Sequence, residues 1–221
     1  MAWAWPMAAG KTQAILKYEN QTADEAFDQN GLIVPIPEQL DESVSLFVER
    51  GVTSRFTLQG KLAWTRGSDS FTEFQGRGPV ELGARYAVLN APRTVVSLYA
   101  GAIVEGEGAA NLELRFLAGR SGVLWKRPLF GEVQVARLGR EGLPDETRIE
   151  TTIGWEPRRR WLLLAQSYAG RAESGPMWLK SEWSVLHDVG DWRLQAGWRR
   201  SQLGIDSPLA SGPVLAVWRT F

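Results

Sequence analysis

The only histidine in this chain of 221 residues is His187, and Asp188 follows it directly. A histidine beside a carboxylate is a common general acid–base pair, but hydrolytic chemistry also needs a nucleophile or a further carboxylate next to the imidazole. The sequence shows no such cluster around His187, which lies beside a predicted short turn at residues 188–191. A histidine at a turn is the simpler interpretation, so the sequence predicts that the protein is not an enzyme.

Two short motifs imitate ligand-binding loops without completing them. Gly10-Lys11-Thr12 matches the end of a phosphate-binding loop, but Trp5 stands where the first glycine belongs and a strand is predicted to follow. Asp28-x-Asn30-Gly31 matches part of a calcium loop, yet Ala26 and Pro37 occupy ligand positions. We therefore predict no cofactor and no metal site, and a loose divalent-ion or lipopolysaccharide contact at the second motif stays open.

Charged residues recur at alternate positions between apolar neighbours through most of the chain. Lysine plus arginine and aspartate plus glutamate both total 25, so the two signs are balanced. If the alternating segments are strands of a closed barrel, these charges share the inner face. The predicted lumen-lining residues are Lys17, Glu19, Glu49, Lys61, Glu81, Arg85, Glu113, Arg115, Glu132, Arg148, Glu150, Lys180, Glu182, Arg193 and Arg199. They could line a narrow polar pore, or pair across the interior and close it.

The strands that would position these charges are clearest in a hairpin at residues 146–166. Apolar residues such as Ile153 alternate with polar residues such as Thr152, which is the period of two of a strand between unlike surroundings. A turn with three arginines follows, and Trp161 is predicted to lie directly opposite Trp155. If Ile153 faces lipid, its replacement by arginine should cost about 2–4 kcal/mol, and the same change at Thr152 far less.

The same alternation predicts about twelve strands, or ten if the segment at residues 123–138, which Pro128 interrupts, is not a strand. Short turns are predicted near residues 50–55, 90–93, 119–122, 156–160 and 188–191. Most connections between them are longer, above all the predicted external loops at residues 21–38 and 66–78, although residues 105–108 form a short one. Short turns at one end and longer loops at the other are typical of outer-membrane barrels.

Outward-facing aromatic residues collect at the predicted strand ends. Eleven tryptophans against one histidine is an unusual composition, and membrane–water interfaces are the common place for tryptophan. The predicted membrane-girdle residues are Tyr18, Phe56, Trp64, Tyr86, Phe116, Trp155, Trp161, Trp192, Trp198 and Phe221. The strand from Phe56 to Trp64 would span about 20 Å once tilted, close to the apolar band of such a barrel.

Composition excludes several other classes. The balanced charge offers nothing to a nucleic acid, and the absence of cysteine excludes disulfides and thiolate chemistry. No apolar run is long enough for a membrane helix, which excludes a helical inner-membrane protein. Residues 1–6 lack the features of a signal peptide and could begin a mature chain with an added Met1. A soluble β-sandwich or lipocalin-like barrel would also alternate, but it would place the apolar face inside.

Two resemblances accompany these patterns. The last strand ends at Phe221 and resembles the C-terminal strand that the Gram-negative barrel assembly machinery recognises, although Arg219 stands where an aromatic residue is preferred. Residues 5–10, 23–31 and 49–58 resemble proteobacterial outer-membrane proteins of the XagA type, which are associated with polysaccharide-synthesis genes. The second resemblance covers most of the chain and implies a saccharide-related role without catalytic residues.

Together these observations predict a transmembrane, all-β, antiparallel up-and-down β-barrel in the outer membrane of a Gram-negative bacterium. Residues 1–221 form one domain, and residues 1–10 are a periplasmic N-terminal segment. The predicted function is passage or export of a polar solute, a saccharide or exopolysaccharide on the resemblance above. Predicted partners are outer-membrane lipid, lipopolysaccharide and the assembly machinery, with no nucleic acid and the oligomeric state open. The alternatives are a closed structural or adhesive barrel that binds through its external loops, and an outer-membrane enzyme.

Overall fold

The computed structural model describes residues 4–68, 73–104 and 110–221. Within these ranges the chain forms strands and connections, and no described segment is a helix long and apolar enough to cross a membrane. The strands are β1 (Thr12–Phe27), β2 (Ile33–Gly51), β3 (Phe56–Ser68), β4 (Glu73–Asn90), β5 (Thr94–Val104), β6 (Ala110–Leu124), β7 (Arg127–Gly139), β8 (Glu146–Arg158), β9 (Trp161–Ala172), β10 (Met177–Val189), β11 (Trp192–Ile205), β12 (Ser207–Pro208) and β13 (Ser211–Thr220).

Twelve of these strands are long, and they close into one antiparallel barrel. Each pairs with its neighbours in chain order, and β1 completes the circle by pairing with both β2 and β13. Ile15 stands at this closure, with Phe47 on one side and Trp218 on the other. The two-residue strand β12 pairs only with the far end of β1. Because closure leaves no strand edge unpaired, the main chain satisfies its own hydrogen bonds in an apolar surrounding. The predicted fold class and strand count are confirmed.

The faces of the strands follow the predicted alternation. In β8, Thr152 and Gly154 are buried, whereas Ile149, Thr151 and Ile153 are exposed. Large apolar side chains therefore cover the outer surface of the barrel, and the polar positions turn inward. This is the arrangement of a membrane barrel and the reverse of a soluble one.

Several predicted boundaries are wrong. The external loop predicted at residues 21–38 is mostly strand, because β1 runs to Phe27 and β2 begins at Ile33. The loop predicted at residues 66–78 is largely the ends of β3 and β4, with residues 69–72 outside the described part. The predicted connection at residues 105–108 also lies outside it. Asp28, Asn30 and Gly31 do form the turn between β1 and β2. Asp24, Pro35 and Pro37 instead lie within these two strands, so long-range pairing overrides their local turn preference.

The turn predicted at residues 119–122 is also wrong. Gly119 and Gly122 lie within β6, and the chain reverses at Trp125 and Lys126, whose φ angles of 50° and 63° are left-handed. A two-residue hairpin turn needs this conformation, which is normally supplied by asparagine or glycine. Neither residue type is present at the turn, so the sequence carried no signal for it. Pro128 is accommodated near the start of β7, opposite Val123.

The hairpin of β8 and β9 has a different register from the one predicted. Trp161 pairs with Arg158, and Trp155 lies opposite Leu163. An irregularity between Trp155 and Arg158 shifts the pairing, which the alternation alone could not reveal. The aromatic neighbour of Trp155 is Trp125 on the adjoining hairpin, edge to face with ring centroids 5.5 Å apart.

Candidate functional site

The barrel interior holds a central polar cavity of about 200 Å³. Eight of the fifteen predicted lumen-lining residues are on its wall: Lys17, Glu19, Lys61, Glu81, Arg115, Arg148, Glu150 and Arg199. Glu113 and Glu182 are fully buried directly behind the wall, where they bind Arg115 and Arg199. The inward alternation of many separate strands thus assembles one charged chamber.

One side of this chamber, on β1, β10 and β11, is a compact ion network. The Nζ of Lys17 lies 3.1 Å from the Glu19 carboxylate and 3.8 Å from that of Glu182. Arg199 contacts both carboxylates, with its Nη2 2.6 Å from Glu182. The guanidinium of Arg199 also lies over the ring of Tyr168, 4.6 Å from the centroid. Two cations and two carboxylates here neutralise one another.

The opposite side, on β3, β4, β6 and β8, repeats this pairing. Arg115 lies 2.6 Å from Glu113 and 3.5 Å from Glu150. The Nζ of Lys61 donates a hydrogen bond of 2.9 Å to Glu81 on the neighbouring strand. Because Arg115 and Lys61 each reach a carboxylate, neither of these two cations is buried without a partner.

An apolar cluster lies inside the barrel between the chamber and the short turns. Ile15 and Phe47 meet Leu162, Leu164 and Trp218 there, joined by Leu186, Ala216 and the partly buried Phe130. The alternation predicted no apolar layer inside the barrel, although Ile15 and Trp218 occupy inward positions of their strands. On the far side of this layer, at the short-turn end, lies a second cavity of about 370 Å³. Trp5, Phe130, Leu162 and Trp218 separate this mouth cavity from the chamber side of the barrel.

Residues 4–8 enter the barrel from the same end. The main-chain N–H of Ala4 donates a 2.8 Å hydrogen bond to Glu132, and its carbonyl accepts one of 2.7 Å from Ser97. Arg85 donates to the carbonyl of Trp5 at 2.8 Å and pairs with Glu49 at 3.0 Å. The sequence predicted only that this segment lies on the periplasmic side. Glu49, Arg85 and Glu132, predicted to line the lumen, instead surround the segment and hold it.

The packing of Trp5 explains one glycine of the wall. The Trp5 ring lies edge to face with Phe130, with centroids 6.0 Å apart. It also lies against Gly119, where any Cβ would overlap it. The N-terminal segment therefore fits a recess in the wall, and it occupies part of the short-turn end of the interior.

The last two predicted lumen residues, Lys180 and Arg193, lie at opposite ends of the barrel interior. Lys180 is on the wall of a small cavity toward the longer connections and donates weakly to Gln21 at 3.5 Å. Arg193 is at the short-turn end, bound to Asp188 through two hydrogen bonds of 2.5 and 3.0 Å. All fifteen side chains thus occur on the inner side, but only the first eight share the central cavity.

The sequence analysis missed the eight uncharged residues of the chamber wall, among them Tyr99 and Tyr168. Tyr99 lies on β5, a strand without charges, so the charge pattern could not identify its inner face. The signal in the sequence is its neighbourhood: Gly83 and Gly101 flank its ring, and a Cβ at either position would overlap it. The ring therefore lies flat on the wall, with the guanidinium of Arg115 5.7 Å from its centroid.

The ten predicted girdle residues lie on the outer surface, but Tyr18, Phe116 and Trp198 are midway along β1, β6 and β11, because these strands run beyond their predicted ends. Trp64, Tyr86, Phe116, Trp161, Trp192, Trp198 and Phe221 are exposed, and Tyr18, Phe56 and Trp155 are half-buried. Phe56 is paired directly with Tyr86 across β3 and β4. The Arg219 guanidinium lies 4.6 Å from the Trp192 centroid and 5.0 Å from that of Phe221, which joins the last two strands at the barrel closure. Exposed rings over a continuous apolar surface are suited to a lipid interface.

His187 is held in place by structural contacts. Its Nδ1 lies 3.0 Å from the main-chain oxygen of Arg160, and its ring lies 4.2 Å from that of Trp161. Both contacts tie β10 to the adjoining turn of β8 and β9. Asp188 is engaged by Arg193 and by its own strand instead of orienting the imidazole.

The closed barrel recurs in solved structures. The fold is that of outer-membrane β-barrel proteins. The COG4313 outer membrane channel from Pseudomonas putida F1 superimposes with a TM-score of 0.78 over 99% of this chain and 98% of that one, at 14% identity. The KdgM porin in complex with disordered oligogalacturonate gives 0.65 over 94% and 99%, at 9% identity.

The same fold also occurs outside porins. The translocator domain of autotransporter NalP from Neisseria meningitidis gives a TM-score of 0.59 over 97% of this chain and 90% of that one, at 12% identity. No family model matches the sequence, and no curated protein matches it either. These neighbours support the outer-membrane location that the sequence predicts. At such identities they establish the fold, and the function must be argued from the interior.

Proposed function

We propose that this protein is an outer-membrane barrel that carries a polar solute, a saccharide, through its interior. The observation that carries the proposal is the central cavity, because its charged and hydroxyl groups can replace the hydration of a polar solute. Channels and porins of the same fold support it. Export of exopolysaccharide, implied by the XagA-type resemblance, is the specific form of this proposal.

The outer surface supports the proposed setting. The girdle residues would lie at the two lipid interfaces, with Trp161, Trp192 and Phe221 on the periplasmic side together with both chain ends. Outer-membrane lipid and lipopolysaccharide would contact the apolar band between the girdles. The barrel assembly machinery would recognise the last strand, β13, which ends beside Phe221.

Passage requires a change at the short-turn end. Residues 4–8 and the apolar layer of Phe47, Leu162 and Trp218 separate the central cavity from the mouth cavity. Residues 4–8 are not part of any barrel strand, so the segment can leave without breaking the barrel wall. We propose that a solute passes when this segment withdraws and the side chains of the apolar layer move aside.

Two measurements on the purified barrel test the proposal. Single-channel recording in planar bilayers measures ion flow, and swelling of proteoliposomes measures sugar entry. We expect small or intermittent conductance from the full chain and larger conductance after removal of residues 1–8. A barrel that neither conducts nor admits sugars in either form would refute solute passage.

A closed adhesive barrel is the second candidate, and one observation favours it. Leu32, Ile33 and Val34 form an exposed apolar tip where β1 meets β2, at the opposite end from the short turns. Pro35 and Pro37 on the adjoining strand remove two main-chain donors, which blocks addition of a further strand. Binding there would use side chains, and replacing the three apolar residues by serine would abolish adhesion while leaving any conductance unchanged.

A catalytic role for His187 finds no support in its contacts with Arg160 and Trp161. We expect His187→Ala to leave sugar entry and conductance unchanged. A loss of an outer-membrane hydrolase activity in that variant, with the barrel still folded, would instead favour the enzyme alternative.

A further inference from the structure

The wall of the central cavity has nearly cancelling charge. Five cations face it, and three carboxylates share the same wall. Three further carboxylates stand behind and bind these cations: Glu113 on Arg115, Glu182 on Arg199, and Glu146 on Arg148 at 3.0 Å. Each of the five cations therefore has a carboxylate partner within an ion-pair distance. The cavity presents both donors and acceptors, and it offers no uncompensated positive site.

We infer that this cavity is a binding site for neutral sugars and discriminates against acidic ones. The inference rests on the proposed passage of a saccharide and names its class. Sugar hydroxyls can accept hydrogen bonds from arginine and lysine and donate to the neighbouring carboxylates without disturbing the pairs. The carboxylate of an acidic sugar must instead displace a protein carboxylate that is held close and partly buried, and it must lie near the remaining ones.

The aromatic residues of the chamber support a sugar ligand independently. Tyr99 on β5 and Tyr168 on β9 both line the cavity, each with its ring beside an arginine. The hydroxyl of Tyr168 is buried, and within the described part of the chain it has no hydrogen-bond partner. A buried hydroxyl without a partner is costly, and a ligand hydroxyl or a water would satisfy it. The cavity volume of about 200 Å³ equals that of roughly six or seven waters, enough for one monosaccharide ring.

The inferred ligand class, neutral sugars, differs from the ligand of one structural neighbour. The KdgM porin is seen in complex with oligogalacturonate, a polyanion. The same barrel architecture here carries arginines that are already neutralised by Glu113, Glu150 and Glu182. Selectivity between acidic and neutral sugars would thus depend on inward carboxylates, which the fold leaves free to vary.

Glu150 is the carboxylate on which to test this. Its side chain is on the cavity wall and 22% exposed, and it is the more distant of the two partners of Arg115. Glu150→Gln removes one negative charge while Glu113 keeps Arg115 paired, so the barrel should fold. Glu42→Gln is the matched control, because Glu42 binds Tyr18 and Arg66 and does not line the cavity.

The experiment measures binding and passage separately on the full chain. Calorimetry with the barrel in detergent compares galactose with galacturonate, and proteoliposome swelling follows entry of the same sugars. We expect the native barrel to bind galactose more tightly. We expect Glu150→Gln to raise the affinity for galacturonate relative to galactose by about three- to tenfold, as removal of one nearby charge in a partly hydrated site allows, and Glu42→Gln to leave the ratio unchanged.

The outcomes are distinguishable. Equal or tighter binding of galacturonate to the native barrel, no detectable binding of either sugar, or an unchanged ratio in folded Glu150→Gln would each overturn the inference. Preferential galactose binding without sugar entry, even after removal of residues 1–8, would refute the proposed passage and leave the neutral-sugar site standing.

Discussion

Arg85 donates a hydrogen bond of 2.8 Å from its buried guanidinium to the main-chain carbonyl of Trp5. The barrel wall thereby holds the N-terminal segment through a backbone atom. The bonds of Ala4 to Glu132 and Ser97, and that of the Met7 N–H to Thr57 at 3.0 Å, also use the main chain of the segment. The attachment of the segment therefore depends on its main-chain atoms more than on its side chains.

Removal of residues 1–8 should increase single-channel conductance, because the segment occupies part of the short-turn end of the interior. Trp5→Ala keeps all four main-chain bonds and should increase conductance less. Heat-modifiable migration on a gel checks that each variant is a folded barrel. Equal conductance of the deleted and full-length chains would show that the segment does not obstruct the path.

Gly83→Ala should destabilise the barrel, because the new Cβ would overlap the ring of Tyr99. Overpacking of this kind costs about 1–3 kcal/mol. Chemical unfolding in lipid vesicles measures the change, and the double variant with Tyr99→Ala should recover part of the loss. Gly122→Ala, where a Cβ meets no neighbour, is the control. The absence of coupling between positions 83 and 99 would contradict the packing.

Ile153→Arg should reduce the free energy of unfolding by about 2–4 kcal/mol, because an arginine would face lipid near mid-depth. Ile153 is 56% exposed on the outer face, so its burial depends on lipid. Leu32→Arg is the control, since Leu32 is 64% exposed at the hairpin tip between β1 and β2, which we expect to lie outside the apolar band. Similar costs at both positions would place the membrane band elsewhere.

We expect Thr152→Arg to cost more than the sequence alone predicts. Thr152 faces inward as expected, but it is buried and accepts a 3.1 Å hydrogen bond from Gln166. An arginine has no room there, so we expect this variant to be destabilised as well. The same unfolding measurement, with Thr152→Ser as the control, checks this; an unfolding free energy equal to that of the native barrel would indicate open space beside Thr152.

Asp28→Ala should loosen the tip between β1 and β2 without changing global stability. The main-chain N–H groups of Leu32 and Asn30 donate to the Asp28 carboxylate at 2.8 Å and hold the pKa of Asp28 below its ordinary value. Because the pKa of Asp28 is lower in the folded chain than in the unfolded chain, its carboxylate stabilises the tip fully at pH values above the unfolded pKa. This stabilisation is lost as the pH falls through the folded pKa. We expect the amides of Asn30 and Leu32 to be less protected against hydrogen exchange in the variant. In the native chain we expect this loss of protection only at low pH. Unchanged exchange with Asp28→Ala would exclude the role.

Some of the candidate site could be predicted because strand faces are a local property. The inward position of Lys17, Arg115 and Arg199 follows from a period of two, which needs only neighbouring residues. Which carboxylate each cation meets could not be predicted, since Lys17 and Glu182 come from strands far apart in the sequence. The position of Tyr99 on the chamber wall could not be predicted either, because its ring depends on the space beside Gly83 on the neighbouring strand and beside Gly101.

The sequence by itself determined the barrel, an approximate number of long strands and the inner face of the fifteen predicted lumen charges, because the alternation is repeated in most segments. Tertiary structure alone decided the register of the hairpin at Trp155, the turn at Trp125 and Lys126, and the length of β1 and β2. It also decided that the interior is divided into a paired charged chamber, an apolar layer and an end partly occupied by residues 4–8. Closure of the sheet brings these groups together across the barrel, and such contacts depend on register and curvature that no single strand encodes.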